Sequence, residues 1–179
     1  MPPAAARYLY KVKTKEVSVP ISNSKEKFEH ELADVYDAEH QFLEALNEMR
    51  EAASDEKLKA MLEEHATQTE EQIVRLEQVF SEMKMSPKRQ PCSGARGLVE
   101  EGSKSMEEAQ TPELRDAVII TAATKAEHYE MVAYKDLIDG ATLLSMRSAA
   151  RLLTRNREEE VKAARKLERA APRIEKAAA

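Results

Sequence analysis

The chain has 179 residues, with 33 acidic against 28 basic side chains and a formal net charge of -5. That length suits one domain with a core of useful size, and the acidic balance argues against nucleic acid as a partner. No apolar run approaches the roughly 20 residues of a membrane span, and the single cysteine excludes an internal disulfide framework.

Four glycines, no tryptophan and an abundance of Ala, Glu, Lys and Leu give the composition of a helical protein. Residues 1–23 read as an appended arm, either flexible or laid against a second subunit. The opening MPPAAARYLYKVK lacks an apolar core before a cleavage site, so no secretory leader is expected, and the lone Cys92 fits a reducing, cytoplasmic setting. Residues 24–171 carry the body. The first long helix opens at SNSKE, where Asn23 or Ser24 can cap and Glu26 suits the positive end of the helix dipole. Its inward line is Leu32, Tyr36, Glu39, Leu43 and Leu46. The second, capped by Ser54, carries Leu58, Leu62, His65, Gln72, Leu76 and Phe80 and stops before Pro87. After the loop-like KRQPCSGARG comes a shorter helix, GLVEEGSKSMEEAQ. Thr111-Pro112-Glu113 starts the third long helix, which runs to Asp139-Gly140. The fourth begins near Ser145, carries Ala149, Leu153, Glu160 and Leu167, and ends around Pro172, leaving 172–179 as a frayed tail.

Four long helices with a short extra helix between the second and third describe an all-α four-helix bundle. The long connection between the second and third leaves room to cross over the bundle. AEHQFLEAL from Ala38 and AEHYEMVAY from Ala126 echo each other, and both set a glutamate on the inward line.

Polar groups therefore point inward from all four helices: Glu39, His65, Glu127 with Glu130, and Glu160. Glu127 and Glu130 are one turn apart and share a face. A single glutamate on an apolar stripe is usually a rim residue, and a lone helical histidine is usually a satisfied core residue. Buried acids in company are different. They repel one another unless protonated or neutralised, and a metal ion neutralises them. By the same geometry His40 and His128 turn away from the centre, Glu158 and Glu159 face solvent, and Cys92 sits in a loop. Tyr36 and Tyr134 lie close enough to the inward line to bond the acids.

LADVYDAEHQ, the run from EEH to TEEQIVRLEQVF, CSGARGLVEEG, RDAVIITAATKAEHYEMVAY and the late EEE together resemble the bacterial YciE/YciF stress-protein family over roughly residues 28 to 170. The resemblance implies a ferritin-like bundle, paired as a homodimer, with a di-iron type centre on Glu39, His65, Glu127, Glu130 and Glu160. It also shows two departures: Gln68 stands where the family has a glutamate, and Ala164 where it often has an acid. Losing two anionic groups favours one metal ion, or none, over two.

The first functional expectation is a carboxylate-rich centre that binds iron or manganese and reacts with dioxygen or peroxide, as ferroxidase- or peroxide-type oxidoreductases do. The alternative is a metal-free structural or interaction bundle acting in stress, its acids protonated or paired with Lys125 and nearby arginines.

Overall fold

Side-chain oxygens start three of the four long helices in the computed structural model, which describes residues 20–179. Asn23 caps α1 (Ser24–Ala52), Asp55 caps α2 (Glu56–Glu82), and Thr111 caps α4 (Pro112–Leu143). Each takes the hydrogen of the amide three residues on, one of the donors a helix start leaves unpaired. The cap of α2 is thus one residue later than expected. Ser54 instead ties α2 to α4, its amide and hydroxyl donating to Asp116 at 2.7 and 2.6 Å. The short α3 (Ser93–Glu108) starts earlier than expected, and α5 spans Arg147–Ala178. The expected alternation at Tyr8, Tyr10, Val17 and Val19 lies outside the described residues.

Two helices stop on the same device. Lys84 after α2 and Ser145 after α4 both adopt φ 59°, and the amides of Met85 and Met146 reach back 2.9 Å to Phe80 O and Ala141 O. This satisfies carbonyls that the helix end would orphan, at roughly 1 kcal/mol for a non-glycine residue in that conformation. Helix α4 does not end at Gly140. A glycine is needed there because a Cβ would lie 2.9 Å from the Phe28 ring, so the position serves helix packing rather than termination. Nor does Pro172 end the last helix. The helix continues because Ile174 is buried and Arg173 bonds both carboxylate oxygens of Asp55, at 2.6 and 2.8 Å. The expected frayed tail is therefore helical to Ala178.

A small cluster of Ala38, Phe42, Cys92 and Ala95 seats α3, and the apolar core of the four long helices is split in two layers. One joins the start of α1 (Phe28, Leu32), the end of α2 (Leu76, Phe80), the end of α4 (Leu137, Ala141) and the start of α5 (Ala149, Leu153). The other joins the end of α1 (Leu46, Met49), the start of α2 (Leu58, Leu62), the start of α4 (Ile119, Ile120) and the end of α5 (Leu167, Ile174). Hence α1 and α2 are antiparallel, as are α4 and α5, while α2 and α4 run in the same direction. A parallel step needs a crossover, and α3 supplies it: 16 residues, or about 24 Å of helix, laid over α1 and α4. This is the expected ferritin-like bundle of four long helices with one short helix between the second and third. A layer of buried polar side chains lies between the two apolar ones.

Candidate metal centre

Glu39 on α1, His65 on α2, Glu127 and Glu130 on α4, and Glu160 on α5 are all buried. Helical spacing explains the selection. Ala123 lies four residues before Glu127 and Tyr134 four after Glu130, both in the core, so the same stripe must carry the acids inward. One ligand-type atom from each of His65, Glu127, Glu130 and Glu160 falls within 4.8 Å of the others. That matches the span across one coordination sphere, twice a metal–ligand bond of about 2.0–2.6 Å. Glu39 is outside this set. Its Oε1 accepts a hydrogen bond from Tyr134, and its charge acts on Glu127 and Glu130 from the edge of the cluster.

His65 Nε2 stands 2.9 Å from Glu127 Oε1 and 3.4 Å from Glu160 Oε2. Its other nitrogen, Nδ1, faces Gln68 Oε1 at 3.4 Å. With the imidazole hydrogen on Nδ1, toward Gln68, the Nε2 lone pair faces the carboxylates, as a ligand must. Gln72 donates to Glu160 from the next turn of α2. These bonds leave oxygens over: Glu39 Oε2, Glu127 Oε2 and Glu160 Oε2 are buried with no hydrogen-bond partner. Unpaired buried oxygens on three acids are costly in a native core, and a cation held by the four-residue cluster would satisfy those of Glu127 and Glu160.

The acids hold protons tightly as they stand. Burial comes first in every case. It raises Glu39 to about 8 with help from Glu160, and Glu127 to about 7 with help from Glu39. Burial and the surrounding carboxylates push Glu130 well above the carboxylate range; burial does the same to Glu160, against the opposing pull of His65. A cavity of about 20 Å³ adjoins the His65–Glu127 edge, walled by Leu46, Met61, Leu62 and Leu167. It has room for a molecule of roughly water size.

Of the other expectations, His128 is exposed against Glu168, and His40 packs edge-on against Tyr36 at 4.8 Å. Glu159 is not in open solvent: it is mostly buried between Arg75 and Arg155. Lys125 pairs with Glu101 of α3, away from the centre. Tyr36 bonds Glu77, whereas Tyr134 does reach a central acid. Cys92 is buried at the start of α3, its Sγ 3.0 Å from Tyr129 Oη. Ala164, one of the two departures, is buried in the core, and Gln68, the other, is half-buried beside His65. Sequence reading missed Arg75 and Asn156, both buried at this level. The signal was present, since Arg75 follows inward Gln72 by three residues and Asn156 precedes inward Glu160 by four.

Residues 23–179 match the model of a family described as a domain of unknown function, DUF892. The chain is 42% identical to protein YciF of Escherichia coli K12 over 134 residues, which cover 74% of this chain and 81% of that one. The crystal structure of the E. coli stress protein YciF superposes with a TM-score of 0.82 at 38% identity, covering 86% of this chain and 98% of that one. YcfI from Rhodopseudomonas palustris superposes equally well, with a TM-score of 0.82 at 35% identity, covering 84% and 96%. On sequence and on fold, the chain belongs to the DUF892 family of YciE/YciF-like proteins.

Proposed function

We propose that this chain is a stress-response protein that binds iron or manganese at the centre of its bundle and, so loaded, reacts with dioxygen or peroxide. The observation that carries the reading is the convergence of one imidazole and three carboxylates, from three helices, with buried oxygens left unpaired. Oxygen donors with a single nitrogen suit manganese and ferrous iron better than a thiolate-seeking ion. Bound there, such an ion supplies a redox couple and an open coordination position for a small oxidant.

The chain's own groups prepare that role. His65 presents Nε2 to Glu127 and Glu160 at 2.9 and 3.4 Å, where a cation would sit between them. Leu46, Met61, Leu62 and Leu167 give that edge an apolar wall with the Glu64–Lys166 ion pair at its rim, and the adjoining cavity fits a small oxidant but not a bulky organic substrate. The stress role follows the relative described as a stress protein. The homodimer expected from the family would cover apolar surface on α4, where Val132 and Leu143 are exposed.

The test is the metal content of protein purified without added metal, followed by anaerobic titration with ferrous iron and exposure to air or peroxide. Stoichiometric uptake, followed by an oxidant-dependent ultraviolet band, is the expected result. A metal-free protein that also takes up no ferrous iron leaves the bundle as a structural or interaction module.

A further inference from the structure

A hydrogen-bonded chain crosses the bundle at the level of the carboxylates and touches every long helix. Its outer end is Arg75 on α2, buried to 6% exposure. One terminal nitrogen of its guanidinium bonds Glu159 and the other bonds Glu71 at 3.2 Å, and Arg155 bridges the same two acids. Arg75 Nε then donates inward to Asn156 Oδ1 on α5. Asn156 Nδ2 donates to Tyr134 Oη on α4 at 2.9 Å and to the Gln72 carbonyl at 3.3 Å. Tyr134 donates to Glu39 Oε1 on α1.

The direction of this chain is forced. A guanidinium can only donate, so Asn156 must turn its carbonyl to Arg75 and its amino group to Tyr134. The tyrosine oxygen is thereby an acceptor, and its own hydrogen goes to Glu39. The carboxylate is pinned through one oxygen, while Oε2 stays buried without a partner, and its charge is coupled to those of Glu127, Glu130 and Glu160. A buried arginine, a fully buried asparagine and a fully buried tyrosine are an expensive way to join helices that apolar packing already joins. They are economical if the orientation of Glu39 matters.

We propose that Arg75, Asn156 and Tyr134 are positioning residues that hold Glu39 as a fifth ligand of the centre, with Oε2 turned to the cation. The inference rests on the metal reading above. Glu39 belongs to the ligand set that the family resemblance implies; what is added is that its orientation is set across the bundle, from a buried charge on α2 through Asn156 and Tyr134.

Cobalt(II) affinity of the chelator-stripped protein, read by visible absorbance, tests it. Tyr134→Phe removes the bond to Glu39, and the dissociation constant should rise about 10–100-fold, the usual effect of losing a group that orients a ligand. Asn156→Asp keeps an acceptor for Arg75 but presents a second acceptor to Tyr134, drawing its hydrogen away from Glu39. It should weaken cobalt binding similarly and, by setting a carboxylate oxygen against the Gln72 carbonyl, also lower the unfolding midpoint of the metal-free protein, so affinities are compared at a temperature where both proteins are folded. The double variant should bind no more weakly than Tyr134→Phe alone, because one chain cannot be cut twice. Single variants that bind like wild type, or losses that multiply in the double variant, overturn the assignment and leave the chain as a structural brace. A wild-type protein that takes up no cobalt removes the metal reading itself, and the positioning role with it.

Discussion

His65 Nε2 on α2 lies 2.9 Å from Glu127 Oε1 on α4, and the two helices run in the same direction. That parallel pairing exists because α3 carries the chain back across the bundle before α4 begins. Had α2 and α4 been joined by a tight turn, they would run antiparallel, and the midpoint of α4 would be reached along the opposite path. The contact joins an imidazole to an acid that burial has raised to about 7, in a place where a cation fits.

Glu130 makes the clearest case for function against stability. It is buried, its pKa is raised by burial and by three other acids, and no side-chain hydrogen bond compensates. Because the raised pKa means that Glu130 takes up charge only toward alkaline pH, Glu130→Gln should stabilise the metal-free protein by about 1–2 kcal/mol at the alkaline end of the range and by less as the pH falls. The same change should weaken ferrous iron binding. Urea unfolding with chelator, set beside an iron titration, checks both directions; a variant that loses stability at alkaline pH contradicts the account.

The stability of the metal-free protein should fall with rising pH. Glu39 and Glu127 titrate near 8 and 7 when folded, against an ordinary 4.5. Between those values the folded chain binds more protons than the unfolded one, so the stabilising contribution is complete below about 4.5 and is lost as pH rises through 7 to 8. On the acid side Asp55 works the other way, since Arg173 holds it at about 2 and its contribution fades as pH drops toward that value. Bound metal requires the carboxylates ionised and should flatten the alkaline fall. Thermal unfolding from pH 5 to 9, with and without manganese, shows whether it does.

Gln68 faces His65 Nδ1 only weakly, at 3.4 Å. Gln68→Glu would give that nitrogen a charged acceptor, fixing the ring and making Nε2 a stronger donor to metal. Affinity for ferrous iron should rise about tenfold, at the lower end of what such partners contribute. Equilibrium dialysis is enough to measure it, and an unchanged constant would mean that His65 is not a ligand.

Two glycines on helices should respond in opposite ways to alanine. Nothing lies within 4 Å of a Cβ at Gly97, so Gly97→Ala gains helix propensity and stabilises by up to about 1 kcal/mol. At Gly140 the same gain meets the Phe28 ring at 2.9 Å in a buried contact, where overpacking costs about 1–3 kcal/mol. Gly140→Ala should therefore destabilise on balance. Chemical denaturation of the pair, side by side, gives the two signs.

Much of this was legible in the residues. Periodicity placed five long-range partners on inward faces, and all five are buried. Thr111-Pro112 and Asn23 marked real helix starts. Pro172 and Gly140 misled because local signals say where a helix can stop, and burial of Ile174 and the close approach of Phe28 outweighed them. Glu159 misled for a related reason: its neighbours in sequence are charged, but its partner, Arg75, is 84 residues away.

The sequence by itself determined an all-helical bundle, the face each helix buries, and the set of acids and histidine that must lie near its middle. A repeat of 3.6 residues encodes rotation about a helix's own axis and little else. Only the tertiary structure decided that His65, Glu127, Glu130 and Glu160 meet, that Tyr134 bonds Glu39 through one oxygen, and that Arg75 reaches Glu39 through Asn156 and Tyr134. Those contacts depend on the height of one helix against another. A shift of one residue, about 1.5 Å, leaves every stripe facing inward, yet it is enough to break a hydrogen bond or move a ligand out of a coordination sphere.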